Sequence, residues 1–363
     1  MLAQAGEVFI DRYRVEEYVA EGGMQEVYRA QDLNFRRHVA LKIPKNPSAE
    51  KRFARSARVS AKIVHPNVAK TLDYFEIDGR AHLVEEFVEG VDLSRLLKFE
   101  YNYLDPHLAA HLAHLLSKGL AASHHAGVVH RDMKPSNVMV ANDPNISIVK
   151  ITDFGIAKMA EEEIAEAAQG GEPSMSRSST AMGALPYMAP EMIESPKTAG
   201  MPADIWALGA ILYRVVSGEY PFGNGWSAMA NIIRGKVPGQ PEMLKMRPQF
   251  VALGDALWNI IEMCLQMDPT KRPTADALVQ ICGETSYSDA PRQLGTVDSY
   301  KPGTGKWGFL HTDAYESVFY HLESYYGEEP VLGARVNFAC FPGAPRARAI
   351  PVLPRRPDPL LEE

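Results

Sequence analysis

The sequence has little of what marks secreted or membrane-spanning proteins. It contains three cysteines in 363 residues, Cys264, Cys282 and Cys340, which are far apart and form no Cys-x-x-Cys pair. This spacing argues against a disulfide framework or a zinc site and is typical of buried thiols in a reducing compartment. The longest apolar run, residues 205–216, is interrupted by Arg214 and is shorter than the roughly 20 residues that cross a bilayer.

An excess of positive charge is also missing. The 38 lysines and arginines are outnumbered by 45 aspartates and glutamates, which gives a net charge of -7 at pH 7. No overall field therefore attracts nucleic acid or anionic lipid, and any such binding needs a local patch. The first residues lack the basic start and apolar run of a signal peptide. We expect a cytoplasmic protein that makes no membrane contact.

The length and patterning predict an α+β protein of more than one domain, because single cores stop growing near roughly 250 to 300 residues. Strand-like alternation fills much of the first 88 residues, with one helix expected over 49–63. Helical periodicity follows, and short strands return after a linker at 283–293. The helices expected in the second region are 106–126, 203–217, 226–234 and 253–267.

The strongest chemical signal is the sequence HRDMKPSN at 130–137 followed by DFG at 153–155. This pair of motifs resembles the catalytic loop and metal-binding triplet of protein kinases. The resemblance implies that Asp132 accepts the hydrogen bond of the substrate hydroxyl and that Lys134 steadies the transferred phosphoryl group. It also implies that Asn137 and Asp153 hold Mg²⁺ through oxygen ligands. Lys134 occupies the position typical of Ser/Thr-directed kinases.

Further kinase landmarks occur in the expected order over 13–282, which the resemblance divides into a small lobe, 13–88, and a large lobe, 89–282. They are VALK at 39–42, APE at 189–191, DIWALG at 204–209, and DP and RP at 268–269 and 272–273. The resemblance implies a buried salt bridge between Glu191 and Arg272. It also implies that Asp204 braces the catalytic loop. Residues 1–12 are expected as a lead-in.

The resemblance also implies an ATP site between the two lobes. The residues that it assigns to the nucleotide are Val19, Ala20, Gly22, Gly23, Val27, Ala40, Lys42, Glu85, Glu86, Val88 and Met139. The glycine-rich loop of this site is incomplete, because Ala20 and Gln25 stand where the first and third glycines are expected. A side chain at either place restricts the backbone and crowds the phosphates.

Lys42 lacks its usual partner, since Ser56 occupies the position of the helix glutamate with which kinases pair this lysine. Glu50 lies six residues earlier, about 120° away around a helix, and cannot simply substitute. An unpaired lysine in a partly buried cleft is costly. Our hypothesis is that Glu85, just before the hinge at 86–88, pairs with Lys42. The alternative is that Glu85 is an exposed strand residue in a shifted register.

The segment between Asp153 and Pro190 is rich in alanine, glutamate and serine, and is expected to be a mobile loop. Within it, Ser178, Ser179 and Thr180 are candidate phosphorylation sites, since a phosphate there could be received by Arg131. The alternative is that they are ordinary polar loop residues. Ala184 replaces the threonine that usually supports the catalytic aspartate and lysine.

Residues 294–354 resemble a cold-shock domain, a five-stranded barrel of the OB kind. The residues expected to stack single-stranded bases are Tyr300, Trp307, Phe309, Phe319 and His321. Gly308 is expected to keep their surface flat. Asp298 and Ser299 depart from the family pattern and the module is acidic, so a protein or intramolecular contact is the rival interpretation, and a purely structural aromatic core is a third. The chain beyond Pro351 is expected to fray, ending in a tail at 355–363.

These observations predict a bilobal protein Ser/Thr kinase that uses ATP and Mg²⁺, acts on proteins and on itself, and carries a barrel for targeting or regulation. The first alternative is a pseudokinase or nucleotide-sensing scaffold, weakened by the substitutions at Ala20, Gln25, Ser56 and Ala184. The second is a nucleic-acid-binding protein in which the kinase acts as a switch.

Overall fold

The computed structural model describes residues 1–21, 25–45, 53–54, 57–154, 183–194, 199–303 and 305–357. Gly22, Gly23, Ser56, Gly155 and the three candidate phosphorylation sites lie outside these ranges, as does most of the expected mobile loop. The described chain forms an antiparallel sheet, a mainly helical lobe and a closed barrel, in that order.

The small lobe is a six-stranded antiparallel sheet in the order β1-β2-β3-β4-β6-β5. Its inner face packs Tyr13, Tyr28 and Leu41 into one core. Val8–Phe9 of the expected lead-in adds the first strand to this sheet. The helix expected over 49–63 is described at 53–54 and 57–60 and ends there. The strands are β1 Val8–Phe9, β2 Tyr13–Glu21, β3 Gln25–Asp32, β4 Arg37–Pro44, β5 Thr71–Ile77 and β6 Arg80–Glu86.

The large lobe confirms the four helices expected from periodicity, with ends shifted by up to three residues. Asp105 begins the longest one, because its Oδ1 accepts hydrogen bonds from the amides of His107 and Leu108. Gly218 ends another with a left-handed φ of 78°. The helices are α1 Leu93–Arg95, α2 Pro106–His125, α3 Pro190–Glu194, α4 Met201–Ser217, α5 Gly225–Ile233, α6 Val251–Cys264 and α7 Ala275–Glu284, and a π-helical turn, Leu96–Glu100, follows α1.

A three-stranded sheet lies next to the helices and carries the segments that are expected to be catalytic. Its strands are β7 Val91–Asp92, β8 Val138–Val140 and β9 Val149–Ile151, in the order β7-β8-β9. Val138, Val140 and Ile151 are buried in the same core as α2 and α4. The catalytic loop precedes β8, and Asp153 follows β9, so one small sheet fixes both ends of the site. No helix among the described residues has both the length and the apolar character needed to cross a membrane.

The C-terminal module is a closed five-stranded barrel in the order β10-β11-β12-β14-β13. All its strand pairs are antiparallel except β12 and β14, which pair in parallel at Phe319 and Arg348. Strand β10 begins at Arg292, inside the expected linker. The strands are β10 Arg292–Lys301, β11 Trp307–Thr312, β12 Ser317–His321, β13 Arg335–Phe341 and β14 Arg348–Pro354.

Two expectations for the barrel are wrong. The chain does not fray at Pro351, because β14 runs to Pro354 and the amide of Arg356 donates to the Glu100 carbonyl at 2.8 Å. Gly308 does not flatten the aromatic face, because it points to the other side of β11. A Cβ on Gly308 would lie 1.9 Å from the Ser299 carbonyl oxygen and 2.8 Å from the Tyr320 ring, so this glycine makes room inside the barrel.

The barrel packs against the large lobe through a sealed polar network. Arg292 of β10 forms a 2.6 Å ion pair with Asp105, and their side chains are 4% and 0% exposed. The Nε of Arg292 donates to Asn337 Oδ1 at 2.8 Å. The amide nitrogen of Asn337 in turn donates to the Tyr101 hydroxyl at 2.9 Å and to the Pro144 carbonyl at 2.8 Å. The residue that caps α2 is therefore also the anchor of the barrel.

Apolar contacts extend the same interface. Tyr326 and Leu353 of the C-terminal module belong to the core cluster of the large lobe, and the Tyr326 hydroxyl donates to the Met243 carbonyl at 2.8 Å. The Arg247 guanidinium donates to the carbonyls of Tyr325, Gly327 and Glu328. The module is thus joined to the large lobe by core packing and by hydrogen bonds.

Candidate active site

A cavity of about 690 Å³ lies between the sheet of the small lobe and the large lobe. The described residues that the sequence assigned to a nucleotide all line it, namely Val19, Ala20, Val27, Ala40, Lys42, Glu85, Glu86, Val88 and Met139. Asp132, Lys134, Asn137 and Asp153 line the same cavity. The structure therefore brings the expected binding and catalytic groups together in one cleft.

The catalytic loop holds Asp132 between two donors. Lys134 Nζ lies 2.8 Å from Asp132 Oδ2, and the Asn137 amide nitrogen lies 3.0 Å from the same oxygen and 2.8 Å from the Asp132 carbonyl. The short 3₁₀ turn Pro135–Asn137 places the asparagine under the aspartate. These bonds fix the orientation of the carboxylate at the cleft.

Asp204 of α4 braces the catalytic loop, as the resemblance to protein kinases implied. Its carboxylate is fully buried and accepts the backbone amides of His130 at 2.9 Å and Arg131 at 2.7 Å, together with the His124 ring at 2.9 Å. Arg131 has a left-handed φ of 65°, a strained conformation for an arginine that these bonds stabilise. The loop that carries Asp132 is therefore held by a residue of the helical core.

The side chain of Lys42 contacts two carboxylates, Glu85 and Asp153. Glu85 accepts a very short hydrogen bond from Lys42 Nζ, and Asp153 Oδ1 lies 2.8 Å from the same nitrogen. Glu85 is buried, 4% exposed, and lies opposite Ala40 in the register of β4 and β6. The ion pair proposed for Glu85 is confirmed, and the exposed, shifted-register alternative is wrong.

The three ionisable groups of this cluster, Lys42, Glu85 and Asp153, have pKa values that are shifted in different directions. Burial opposes the charge on Lys42, but Asp153 and Glu85 together raise its pKa above the ordinary value. Burial also opposes ionisation of Asp153, yet Lys42, with smaller contributions from Gln25 and His130, outweighs burial and lowers the pKa of that carboxyl. For Glu85 the balance is reversed, because burial raises its pKa more than Lys42 lowers it. One lysine thus faces two carboxylates, and Glu85 is the one whose charge is the more costly.

Gln25 reaches into the cleft, which sequence reasoning did not foresee. Its position was noted for a missing glycine, but its amide nitrogen donates to Asp153 Oδ1 at 3.0 Å. The contact joins residues 128 positions apart, across the two lobes. A local motif contains no signal for such a contact, because only folding of the chain brings the first residue of β3 close to the residues that follow β9.

The donor set fits a hard divalent cation bound together with phosphates. Carboxylate and amide oxygens are the ligands that Mg²⁺ prefers, and it commonly uses one or two of them with substrate phosphates and waters. Asp153 Oδ2 has one long contact, to Thr152 Oγ1 at 3.4 Å, among the hydrogen bonds of the described residues. The amide nitrogen of Asn137 faces Asp132, so its amide oxygen points elsewhere. No group of three or more His, Cys, Asp or Glu able to hold a metal exists in the described ranges.

The large lobe also confirms the expected structural salt bridge. Arg272 donates to both oxygens of Glu191, at 2.6 and 2.9 Å, and to carbonyls including that of Pro202. Such a fork is the strong form of this pair. Ala184 is buried in a short helical turn next to Leu185–Tyr187. The candidate phosphorylation sites Ser178, Ser179 and Thr180 lie outside the described residues.

The barrel brings four of its five candidate stacking residues to one face. The ring centroids of Trp307, Phe309 and Phe319 lie 5.6 to 6.1 Å apart, and His321 is the register partner of Trp307. Lys301 Nζ lies 4.6 Å from the Trp307 ring centroid. The Arg346 guanidinium carbon lies 5.2 Å from that of Phe309. Two cations therefore accompany the aromatic cluster.

Tyr300 does not join this face, and its assignment as a stacking residue is wrong. It pairs with Gly308 in the register of β10 and β11, and its side chain packs against the interior of the barrel. A bulge between Val297 and Ser299 shifts the register of β10 at this point. Because side chains alternate along a strand, that shift changes which of its residues face outward.

Comparisons with known proteins agree with this geometry. The family model described as "Protein kinase domain" matches residues 13–281. Serine/threonine-protein kinase pkn3 of Myxococcus xanthus is 32% identical over 74% of this chain and 49% of its own length. Serine/threonine-protein kinase PkaA of Streptomyces coelicolor is also 32% identical, over 74% of this chain and 49% of its own. The chain therefore spans about half the length of these curated relatives.

A solved structure shows the same fold. The crystal structure of Rad53 1-466 in complex with AMP-PNP is 23% identical, with a TM-score of 0.57 over 74% of this chain and 64% of that one.

Proposed function

Because the chain belongs to the protein kinase family, we propose that it transfers the γ-phosphoryl group of ATP to serine or threonine hydroxyls of proteins, including its own. The observation that supports this most directly is the intact catalytic loop, in which Asp132, Lys134 and Asn137 are joined by hydrogen bonds of 2.8 to 3.0 Å. The departures at Ala20, Gln25, Ser56 and Ala184 change supporting residues and leave these groups in place.

In the proposed reaction the substrate hydroxyl forms a bond to the γ-phosphorus while the bond to the β-phosphate oxygen breaks and ADP leaves. Asp132 accepts the hydroxyl proton, and Lys134, bonded to it, lies where it can steady the transferred group. Magnesium, when bound, neutralises phosphate charge, and the residues that would hold it are Asn137 and Asp153. Lys42 anchors the other phosphates and keeps Glu85 as its partner.

The test is transfer of labelled phosphate from ATP, with magnesium, to the chain itself and to a basic protein substrate. We expect Asp132→Asn to abolish transfer while retaining nucleotide binding, since the loop keeps its shape and loses the proton acceptor. Asp78→Asn, at an exposed turn with a left-handed φ of 51°, is the matched control and keeps full transfer. Nucleotide binding without transfer in the unmodified chain would instead identify a pseudokinase or nucleotide-sensing scaffold.

For activation we propose phosphorylation at Ser178, Ser179 or Thr180. The support is chemical: a phosphate brings about two negative charges near Arg131, next to the catalytic aspartate. Mass spectrometry of the chain after incubation with ATP identifies the modified residue. Replacing all three by alanine should slow transfer to a protein substrate, and unchanged rates would contradict the proposal.

For the barrel we propose an OB-type module of the cold-shock kind that binds single-stranded nucleic acid. Its strand order and the cluster of Trp307, Phe309 and Phe319 support this, because bases stack on aromatic rings at roughly 1 to 3 kcal/mol each. Lys301 and Arg346 at the same face provide local positive charge despite the acidic chain.

Fluorescence anisotropy of a dye-labelled single-stranded oligonucleotide, titrated with the full chain, tests this. We expect Trp307→Ala to weaken binding about tenfold, and affinity to fall with salt. Tyr315→Ala, an aromatic that is 87% exposed outside the cluster, is the matched control. Binding that ignores both salt and Trp307 would leave a protein contact as the role of this face.

A further inference from the structure

Gln25 forms a bridge across the cleft that a glycine at its position could not form. Its amide nitrogen lies 3.0 Å from Asp153 Oδ1, the same oxygen that lies 2.8 Å from Lys42 Nζ. Gln25 is the first residue of β3, and Asp153 follows β9 of the large lobe. The bridge therefore links the start of β3, which follows the glycine-rich loop, to Asp153, the proposed metal ligand.

The bridge is buried and incompletely satisfied. Gln25 is 8% exposed, and its Oε1 has no hydrogen-bond partner among the described residues. A buried polar atom without a partner is costly, so an arrangement of this kind persists only where its surroundings hold it or where the atom finds a partner in another state. The amide nitrogen of Gln25 thus donates to Asp153, whereas its amide oxygen has no partner among the described residues.

We propose that Gln25 is a positioning residue that holds Asp153 through its Oδ1 and releases it when a nucleoside triphosphate and its metal bind. The inference rests on the proposed use of ATP and Mg²⁺. The bridge lies where the groups for phosphates and metal converge, and a cation that took Asp153 Oδ1 as a ligand would compete with Lys42 and Gln25 for that oxygen. Metal binding through that oxygen breaks the hydrogen bond from Gln25.

The bridge is expected to affect ligands with phosphates and a metal but not ligands without them. A ligand that fills only the hinge side of the cavity, near Glu86 and Val88, leaves the bridge intact. A ligand with phosphates and a metal breaks it and binds more weakly for that reason. Gln25 therefore lowers the affinity for the metal nucleotide relative to the nucleoside, and raises the nucleotide concentration that the enzyme requires.

Isothermal titration calorimetry of the full chain with Mg²⁺ and a non-hydrolysable ATP analogue, and separately with adenosine, tests this. We expect Gln25→Met to bind the metal analogue about tenfold more tightly, equivalent to about 1.4 kcal/mol, with adenosine affinity unchanged. Methionine keeps the length of the side chain and removes the donor. Gln25→Gly, which restores the glycine of the family pattern, should act in the same direction. Gln31→Met on the same strand is the matched control.

The outcomes are distinct. Unchanged affinity for the analogue in both variants overturns the inference while leaving the proposed function intact. Equal tightening for the analogue and adenosine shows general loosening of the cleft and also overturns it. Binding of neither ligand by the unmodified chain contradicts the proposed function and, with it, this inference. An analogue affinity that rises in both variants and stays fixed in Gln31→Met supports it.

Discussion

The molecule has one buried ionic cluster at the barrel interface and another in the cleft, and the two are built differently. At the barrel interface, Asp105 accepts Arg292 and two backbone amides, and Asn337 uses both ends of its amide. In the cleft, one lysine faces two carboxylates, and an adjacent amide oxygen has no partner among the described residues. The first cluster is complete, whereas the second has groups that still need partners.

The difference indicates separate purposes. In a closed network every polar group already has a partner, so rearrangement would only break hydrogen bonds. The network therefore fixes the barrel to α2, the helix that Asp105 caps. An incomplete network gains partners when a cation and phosphates arrive, so it is suited to exchange. Buried charge thus attaches the barrel at one cluster and, in the proposed function, takes part in ligand binding at the other.

Breaking the complete cluster should have the largest effect on stability. We expect Arg292→Met to lower the free energy of unfolding by about 3 to 5 kcal/mol, because Asp105 is left as a buried, uncompensated charge. Chemical denaturation followed by fluorescence measures this. The control is Arg335→Met in the exposed pair with Asp313, where side chains are 41% and 60% exposed and about 0 to 1 kcal/mol is expected. Equal losses in the two variants would contradict the comparison.

A smaller loss should follow removal of the amide that connects the network. Asn337→Leu keeps the volume of the side chain but strands the Arg292 Nε and the Pro144 carbonyl, so we expect a loss of about 1 to 3 kcal/mol. The double variant with Arg292→Met should lose less than the sum of the two single losses, since both residues belong to one network. Strict additivity would show that they act independently.

The smallest effect on stability is expected for Glu85→Gln in the cleft, and this variant should gain stability where the other two lose it. Because the pKa of Glu85 is raised above its ordinary 4.5, its contribution to stability is full below that pH and is lost as pH rises through the folded-state pKa. Glu85→Gln lacks this loss, so we expect it to be more stable than the unmodified chain at pH 8, with the difference narrowing toward pH 4.5. Denaturation at both pH values measures it.

The same variant should bind the metal nucleotide more weakly and transfer phosphate more slowly. In the proposed function Asp153 would hold the metal and Lys42 would keep Glu85 as its carboxylate partner, and a neutral glutamine side chain at that position cannot supply the charge. A gain in stability with a loss of function is the expected trade-off at a binding site. Unchanged nucleotide affinity and rate would contradict the role assigned to Glu85.

The features that could be predicted from the sequence are those that short, local motifs carry. The catalytic loop, Asp204 and the Glu191–Arg272 pair belong to spaced motifs, and Glu85 was identifiable because its neighbours fix the register of β6. The bridge from Gln25 to Asp153 and the anchor from Arg292 to Asp105 join residues 128 and 187 positions apart. No periodicity encodes such contacts. Tyr300 was misplaced because one bulge in β10 shifts the alternation of its side chains.

Hydrogen exchange of the full chain, with and without a non-hydrolysable ATP analogue and Mg²⁺, compares the two clusters in one experiment. We predict that protection changes at 25–27, 42 and 153–154, where partners are exchanged. Protection at 101–108, 292–297 and 335–339 should stay the same, because the barrel anchor is complete in both states. Equal changes in both sets of segments, or changes confined to the barrel interface, would contradict the account.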